Sequence, residues 1–469
     1  MHPLARLQRE AEALGLALHS VEVLHGDDLV LSTTCPPLTV HTPRRAYSVS
    51  KTVTALAVGL LAAEGRLGLD DPVVRHFPEH LPVHPWVAAT RVRDLLTMRG
   101  PHHATTYDRA GRDWVASWFR VEPTHRPGVV FTYDTSGSHV LAALVERLAG
   151  TSLTDFLRPR VLDPLGVSDG FRFLTDPEGV SQGGSGLVCS PRDLLRLGRL
   201  LRDGGTAGGE RLVPADLVQQ MTTAQADTSL QGWGAQLTGG YGHLLWLPRG
   251  GGWLMFGMGG QLVHADPDRD LVVVVTGDTQ VCPTGDHQLI DLLVGELADG
   301  WDPDAWDPDA AAAGPTPAPA AALSWPAPRH DPAHARHVVG RWVFRTEHGP
   351  VTIDLDLGGD GGTLRREAAG VDGAGGTVVL PLRYGEAVSV DLTGHTELPG
   401  HGGPGTVVVT SGWSRPSTLD VRCAVVGDQL ATLVLRVVVH PDGPPTVRSW
   451  GHGEAVDPTW TFVATGREA

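Results

Sequence analysis

A run rich in proline and alanine, residues 301–336, divides this chain in two. It reads WDPDAWDPDAAAAGPTPAPAAALSWPAPRHDPAHAR. Proline fixes φ and removes a backbone donor, and alanine offers little apolar surface, so such a segment cannot build a core. It reads as a semi-rigid linker between a domain at 1–300 and a second at 337–469. The doubled WDPDA brings several aspartates together. Its prolines and the missing glycine turn do not fit a calcium loop.

The two sides of the break differ in hydropathy pattern. After residue 337 come short alternating runs, RWVFR, VTIDLDL, TVVLPL, TLDVRCAVV and QLATLVLRVVVH, separated by Gly- and Pro-rich turns. A period of two with frequent turns predicts an all-β domain, a barrel or a sandwich. No grouping of residues in it looks catalytic, and substrate restriction, lid contact or oligomerisation are its expected roles.

The first 300 residues mix the two periods. Helical spacing at 2–14 is followed by LALHSVEVLH and LVLSTT, joined by Gly26-Asp27-Asp28 as a hairpin. A helix is expected at 49–64, with Val53, Leu56, Ala57, Leu60 and Leu61 on one stripe and Gly65 and Gly68 beyond its end. A second is expected at 136–149, before Gly150. A third begins at Ser190-Pro191-Arg192-Asp193, where Ser suits the N-cap and Pro the first helical position. Strand-type runs follow at HLLWLP, WLMFGM and QLVHADPDRDLVVVVTGD, then a last helix near 285–298. This order predicts an α+β domain, one antiparallel sheet flanked by helices with a helical subdomain inserted between its strands.

Composition narrows the function. Asp and Glu outnumber Lys and Arg by 53 to 37, for a formal charge of -16. With no basic cluster, a nucleic-acid partner is not expected, and the acidic surface argues against anionic membranes. The N-terminus, MHPLARLQREAEALGLAL, lacks the features of a signal peptide, and no apolar run would span a bilayer, so the expected compartment is the cytoplasm. Cys35, Cys189, Cys282 and Cys423 are widely spaced and point to unpaired thiols, with no metal site and no cofactor. A small-molecule or peptide substrate is the expected partner, and the oligomeric state is left open.

Within this arginine-rich chain, Lys51 is the only lysine, and there is no asparagine. Arginine can replace lysine as a surface cation but not as a proton acceptor. Lys51 lies three residues after Ser48, in Ser48-Val49-Ser50-Lys51 at a helix start, so both side chains share one face. The helix N-terminus favours negative charge at the serine, and a neighbouring amine can take its proton. Ser50 adjoins Lys51 in sequence and would point away from it.

The stretch YSVSKTVTALAVGLLAAEGRLGLDDPV resembles the nucleophile helix of the serine beta-lactamase and penicillin-binding protein superfamily. The resemblance extends through VRDLLTM, PGVVFTYDTSGSHVLAALVERLAG and GGSGLVCSPRDLLRLGRLL, over roughly residues 15–298. It is strongest with the branch of class C beta-lactamases, D-aminopeptidases and related esterases. It implies a beta-lactamase-like fold, and the all-β second domain, a barrel or sandwich with a lipocalin-like form among the expected ones, resembles the tethered β-barrel of D-aminopeptidases. It also implies that Tyr133, from a Tyr-x-Asn pattern, faces Ser48 and Lys51 as a proton shuttle. Thr135 stands where the family's Asn would be, and the stretch Met255-Phe256-Gly257-Met258-Gly259-Gly260-Gln261, with no cationic residue, matches the region where the family carries a Lys-Thr-Gly or His-x-Gly. The missing amide and cation weaken beta-lactam and free-carboxylate recognition. Backbone N–H groups of Ser48 and Met258 are the candidates for an oxyanion hole, flanked by glycines that let backbone approach a ligand. His139, one turn into the helix after Tyr133, is either a pocket residue or a packed histidine. The implied activity is a serine hydrolase cleaving an amide or ester through an acyl-enzyme on Ser48. The alternatives are a penicillin-binding-type transacylase or peptide cyclase, and a non-catalytic binding protein.

Overall fold

A β-hairpin and a three-stranded meander from opposite ends of the amino-terminal region pair to make its central sheet. The computed structural model describes residues 3–107, 111–298, 323–368, 376–391, 405–453 and 460–469. The doubled WDPDA lies outside them. Strands Asp28–Thr34, Ala17–His25, Leu271–Asp278, Gln261–Asp266 and Trp253–Gly257 lie side by side in that order, all antiparallel. Val21 sits opposite both Thr33 and Val275, and Met255 opposite Val263. Residues 271–278 are buried along their whole length, which explains the unbroken LVVVV run: a strand covered on both faces has no solvent side to alternate toward.

Helix Pro191–Arg202 packs on this sheet, and a Cβ on its Gly198 would lie 2.8 Å from both Val263 and Val272. Ser190 caps it as expected, in a reciprocal capping box with Asp193. Helix Val49–Ala63 is buried from Val49 to Leu61, between strand Trp253–Gly257 and helix Thr135–Ala149. The latter helix ends at Gly150 in a left-handed conformation. Short helices Val92–Leu96 and Trp114–Arg120, together with Thr135–Ala149, form the inserted helical subdomain. Helices Pro3–Ala13 and Gly285–Leu292 pack together beside the sheet.

One expected strand is absent. The run HLLWLP makes only isolated bridges, Tyr241 to Trp246 and Trp246 to Leu254. Leu244 has a φ of 52°, and a Cβ on Gly242 would lie 1.8 Å from the Met221 carbonyl, so the backbone is folded against helix Ala215–Thr222. Tertiary packing overrides local strand preference there.

The carboxyl-terminal domain is a meander in two sheets. One runs in the order Gly376–Arg383, Gly361–Ala368, Gly349–Leu357, Val338–Thr346 and Arg467–Glu468. The other runs Ala387–Asp391, Gly405–Arg415, Thr418–Gly427, Leu430–His440, Gly443–Gly453 and Phe462–Thr465. They close on a core that includes Phe344, Ile353, Trp413, Leu433 and Trp460. The six-stranded sheet is buried on both faces at its centre, along Thr418–Gly427. Val407, Val409 and Cys423 point into the domain's own core, whereas Val408, Ala424, Val426 and Leu430 join the core of the first domain.

Part of the expected linker joins them. Leu323 and Trp325 are buried in the first domain's core, and the Trp325 indole donates to the Pro36 carbonyl at 2.6 Å. The composition of the segment hides these two apolar side chains. All four cysteines are unpaired. Among the described residues no helix is long and apolar enough to cross a membrane, and no cluster of His, Cys, Asp and Glu could hold a metal ion.

Candidate active site

The short strand Arg44–Tyr47 runs directly into helix Val49–Ala63, and Ser48 is the helix N-cap. Tyr47 makes the corner with a φ of 46°. A non-glycine residue pays about 1–2 kcal/mol for that conformation, so the surroundings must hold it. The corner leaves Ser48 at the positive end of a 15-residue helix.

Lys51 is 1 % exposed, and its side-chain nitrogen is hydrogen-bonded to Ser48 Oγ at 2.9 Å, to the Gly184 carbonyl at 2.6 Å and to Thr135 Oγ1 at 3.2 Å. It also lies 4.7 Å from the centre of the Tyr133 ring. The Tyr133 hydroxyl hydrogen-bonds the Ser48 side chain. Withdrawal of that hydroxyl from water pushes its pKa well up, and the bond to Ser48 only partly offsets the rise, so the phenol is neutral at rest. Ser48, Lys51, Tyr133 and Thr135 therefore form one hydrogen-bonded group. Thr135, in place of an amide, is a partner of Lys51.

Ser50 is excluded as a rival. It is fully buried, its hydroxyl donates to the Tyr47 carbonyl at 2.5 Å and accepts from Leu187 N–H at 2.8 Å, and so ties the helix to a neighbouring strand.

Strand Trp253–Gly257 passes close to the segment that leads into Ser48. A Cβ on Gly257 would lie 2.1 Å from the Ala46 carbonyl, which only glycine permits. Met258 follows, half-buried. Gly259 (φ 79°) faces other partners: its N–H donates to Asp286 at 3.3 Å, and a Cβ there would lie 2.4 Å from Leu430 of the second domain. Its place is the domain interface. His139 is a packed histidine. It is 1 % exposed, bonded to Asp176 at 2.9 Å and set edge-on to Trp114.

Four further residues shape the site. Gly184 supplies a carbonyl to Lys51, and a Cβ on it would lie 2.6 Å from Thr135. The only signal for it is the glycine cluster in GGSGLVC. Asp134 caps helix Thr135–Ala149 through the Ser136 and Gly137 amides, and burial pushes its carboxyl up to about 6. Trp246 stacks on Tyr133 at 5.7 Å, and Trp233, 38 % exposed, meets it edge-on at 4.8 Å. Nothing in the spacing of these two tryptophans marks them, because they reach Tyr133 from about 100 residues away in sequence.

A family model, Beta-lactamase, matches residues 4–294. The chain belongs to the beta-lactamase family. The match ends where the Pro/Ala-rich segment is about to begin. The 6-aminohexanoate-dimer hydrolase of Paenarthrobacter ureafaciens is 27% identical over 250 residues, taking in 48% of this chain and 64% of that protein. The chain spans only 60% to 64% of the length of such curated relatives. Among solved structures, SurE superposes over 96% of this chain and 98% of its own, with a TM-score of 0.51 at 20% identity. A D-stereospecific amidohydrolase from Streptomyces sp. covers 63% of this chain and 98% of its own, at a TM-score of 0.50 and 21% identity. At such identities the likeness is one of fold. With SurE it takes in both domains, and with the amidohydrolase about the extent of the first.

Proposed function

We propose that this beta-lactamase family member is a serine hydrolase that cleaves an amide or ester through an acyl-enzyme on Ser48. The observation that carries the reading is the convergence of Lys51 Nζ and the Tyr133 hydroxyl on one atom, Ser48 Oγ. The reactive state holds Lys51 as the neutral amine: as Oγ attacks the carbonyl carbon, its proton passes to the Lys51 Nζ lone pair, directly or through the Tyr133 hydroxyl, which hands its own proton on to Nζ. The carbonyl oxygen gains the charge and rests on the Ser48 and Met258 N–H groups. The carbon–nitrogen or carbon–oxygen bond then breaks, and the leaving group takes a proton through Tyr133. Water attacks the acyl-enzyme by the same route in reverse and frees Ser48.

The substrate class follows from what flanks the serine. Gly257-Met258-Gly259 presents no cation, so a free carboxylate next to the scissile bond has no partner there. Trp233 and Tyr133 present aromatic surface, which suits an apolar group. The names of the matched hydrolases, one acting on an aminohexanoate dimer and one a D-stereospecific amidohydrolase, agree with amide cleavage. A panel of neutral and carboxylate-bearing esters and D- and L-amino-acid amides tests this. Neutral apolar members should exceed carboxylated ones at least about tenfold in kcat/KM, and Trp233→Ala should raise their KM about three- to tenfold with kcat retained. Preference for carboxylated substrates, or no turnover of any member, would contradict the proposal.

A further inference from the structure

The two backbone segments proposed to form the oxyanion hole meet one residue of the other domain. Leu430, 5 % exposed, begins the second strand of the hairpin Thr418–Gly427, Leu430–His440. Its N–H donates to the Tyr47 hydroxyl at 3.0 Å. Its side chain fills the space that a Cβ on Gly259 would need, 2.4 Å away. Tyr47 immediately precedes Ser48, and Gly259 immediately follows Met258. The hairpin itself is fixed to the first domain around this point. The Gln280 amide donates to the Leu430 carbonyl at 3.2 Å, Thr432 bonds Asp278, and Asp428 pairs with Arg172.

We infer that this hairpin is a positioning element for catalysis, with Leu430 setting the placement of the Ser48 and Met258 amides through Tyr47 and Gly259. The inference rests on the Ser48 hydrolase reading. Three features carry it beyond simple domain adhesion. Tyr47 holds a left-handed φ of 46° at the residue whose carbonyl carbon is bonded to the Ser48 amide nitrogen, so its orientation aims that N–H. Gly259 donates its N–H to Asp286 and its carbonyl accepts from the Gln261 amide at 2.8 Å, and the Leu430 side chain closes the remaining side of the turn after Met258. Gly257 passes so close to the Ala46 carbonyl that the two segments cannot move independently. A donor aimed at developing charge must be held within about half an ångström, and a single contact shared by both segments does this.

The test uses the full chain and an activated ester, with kcat expressed per Ser48 titrated to completion by a fluorophosphonate. Tyr47→Phe removes the acceptor, and Leu430→Ala removes the side chain against Gly259. Each should lower kcat about tenfold or more with KM within about twofold, because the oxyanion hole acts on the transition state. Leu430→Met should restore most of the rate. Leu435→Ala, in the core of the β domain, should lower the thermal midpoint without changing kcat per titrated site. If Tyr47→Phe and Leu430→Ala keep kcat within about twofold, or Leu435→Ala depresses it equally, the hairpin has no positioning role. If Ser48→Ala turns over ester like the wild type, the hydrolase reading has failed instead, which unchanged kcat in Tyr47→Phe would not show.

Discussion

The two domains treat buried charge in opposite ways. The first buries Glu22, Arg44, Lys51, Asp94, Asp134, His139, Asp176, Asp193, His243 and Asp278, among others. Among the described residues, the second buries only Arg366 and Asp420 of the Asp, Glu, His, Lys and Arg side chains. Burying ionisable groups is costly unless each is paired, so a domain that does it repeatedly has spent stability on chemistry or on the scaffold that aims it. The β domain packs apolar side chains on both faces of one sheet and offers surface rather than reactivity. The proposed chemistry thus lies in the half that buries charge, and the positioning role inferred for the hairpin would let the other half act through contact.

That contrast can be broken at its glycines. Gly257→Ala would drive a Cβ to 2.1 Å from the backbone of Ala46, and Gly443→Ala in the β domain meets nothing within 4 Å. The first should cost about 2–4 kcal/mol of stability and about a hundredfold in activity, and the second less than about 0.5 kcal/mol. Denaturant unfolding and ester turnover measure both. Equal effects would erase the difference between the halves.

A smaller effect sharpens it. His243 is 5 % exposed and borders a cavity of about 410 Å³ with Arg93 and Arg99. Burial first, and then the two guanidinium groups, push its pKa down to about 4 from 6.5. The unfolded chain therefore binds the proton more readily, and stability present above pH 6.5 is lost as pH falls toward 4. The loss should reach about 2–3 kcal/mol, and His243→Gln should remove it. Unfolding midpoints at pH 7 and at about pH 4 would register the change in the first domain. Parallel pH profiles for the wild type and the variant would show that His243 is not so burdened.

Much of this arrangement is legible in the sequence, for physical reasons. Lys51 stands out because arginine cannot take its proton-accepting role, and Ser48 follows from the three-residue spacing on one helix face. Helix Val49–Ala63, the Gly150 cap and the Ser190 capping box are local, so local residues specify them. What escapes is non-local. Leu430 reaches Tyr47 across 383 positions, and Trp325 hides in a run whose average composition says linker. The HLLWLP run has strand chemistry, yet Gly242 is pinned against Met221 by packing. The lining of the site by Gly184, Trp233 and Trp246 likewise exists only once the chain is folded.

The most direct test of the central claim is the intact mass of the protein after incubation with a fluorophosphonate. The wild type should gain one adduct, Ser48→Ala none, and Lys51→Arg should react at least about a hundredfold more slowly, since a guanidinium cannot accept the serine proton. An unmodified wild type, or a Ser48→Ala variant that labels as fast, would contradict the account.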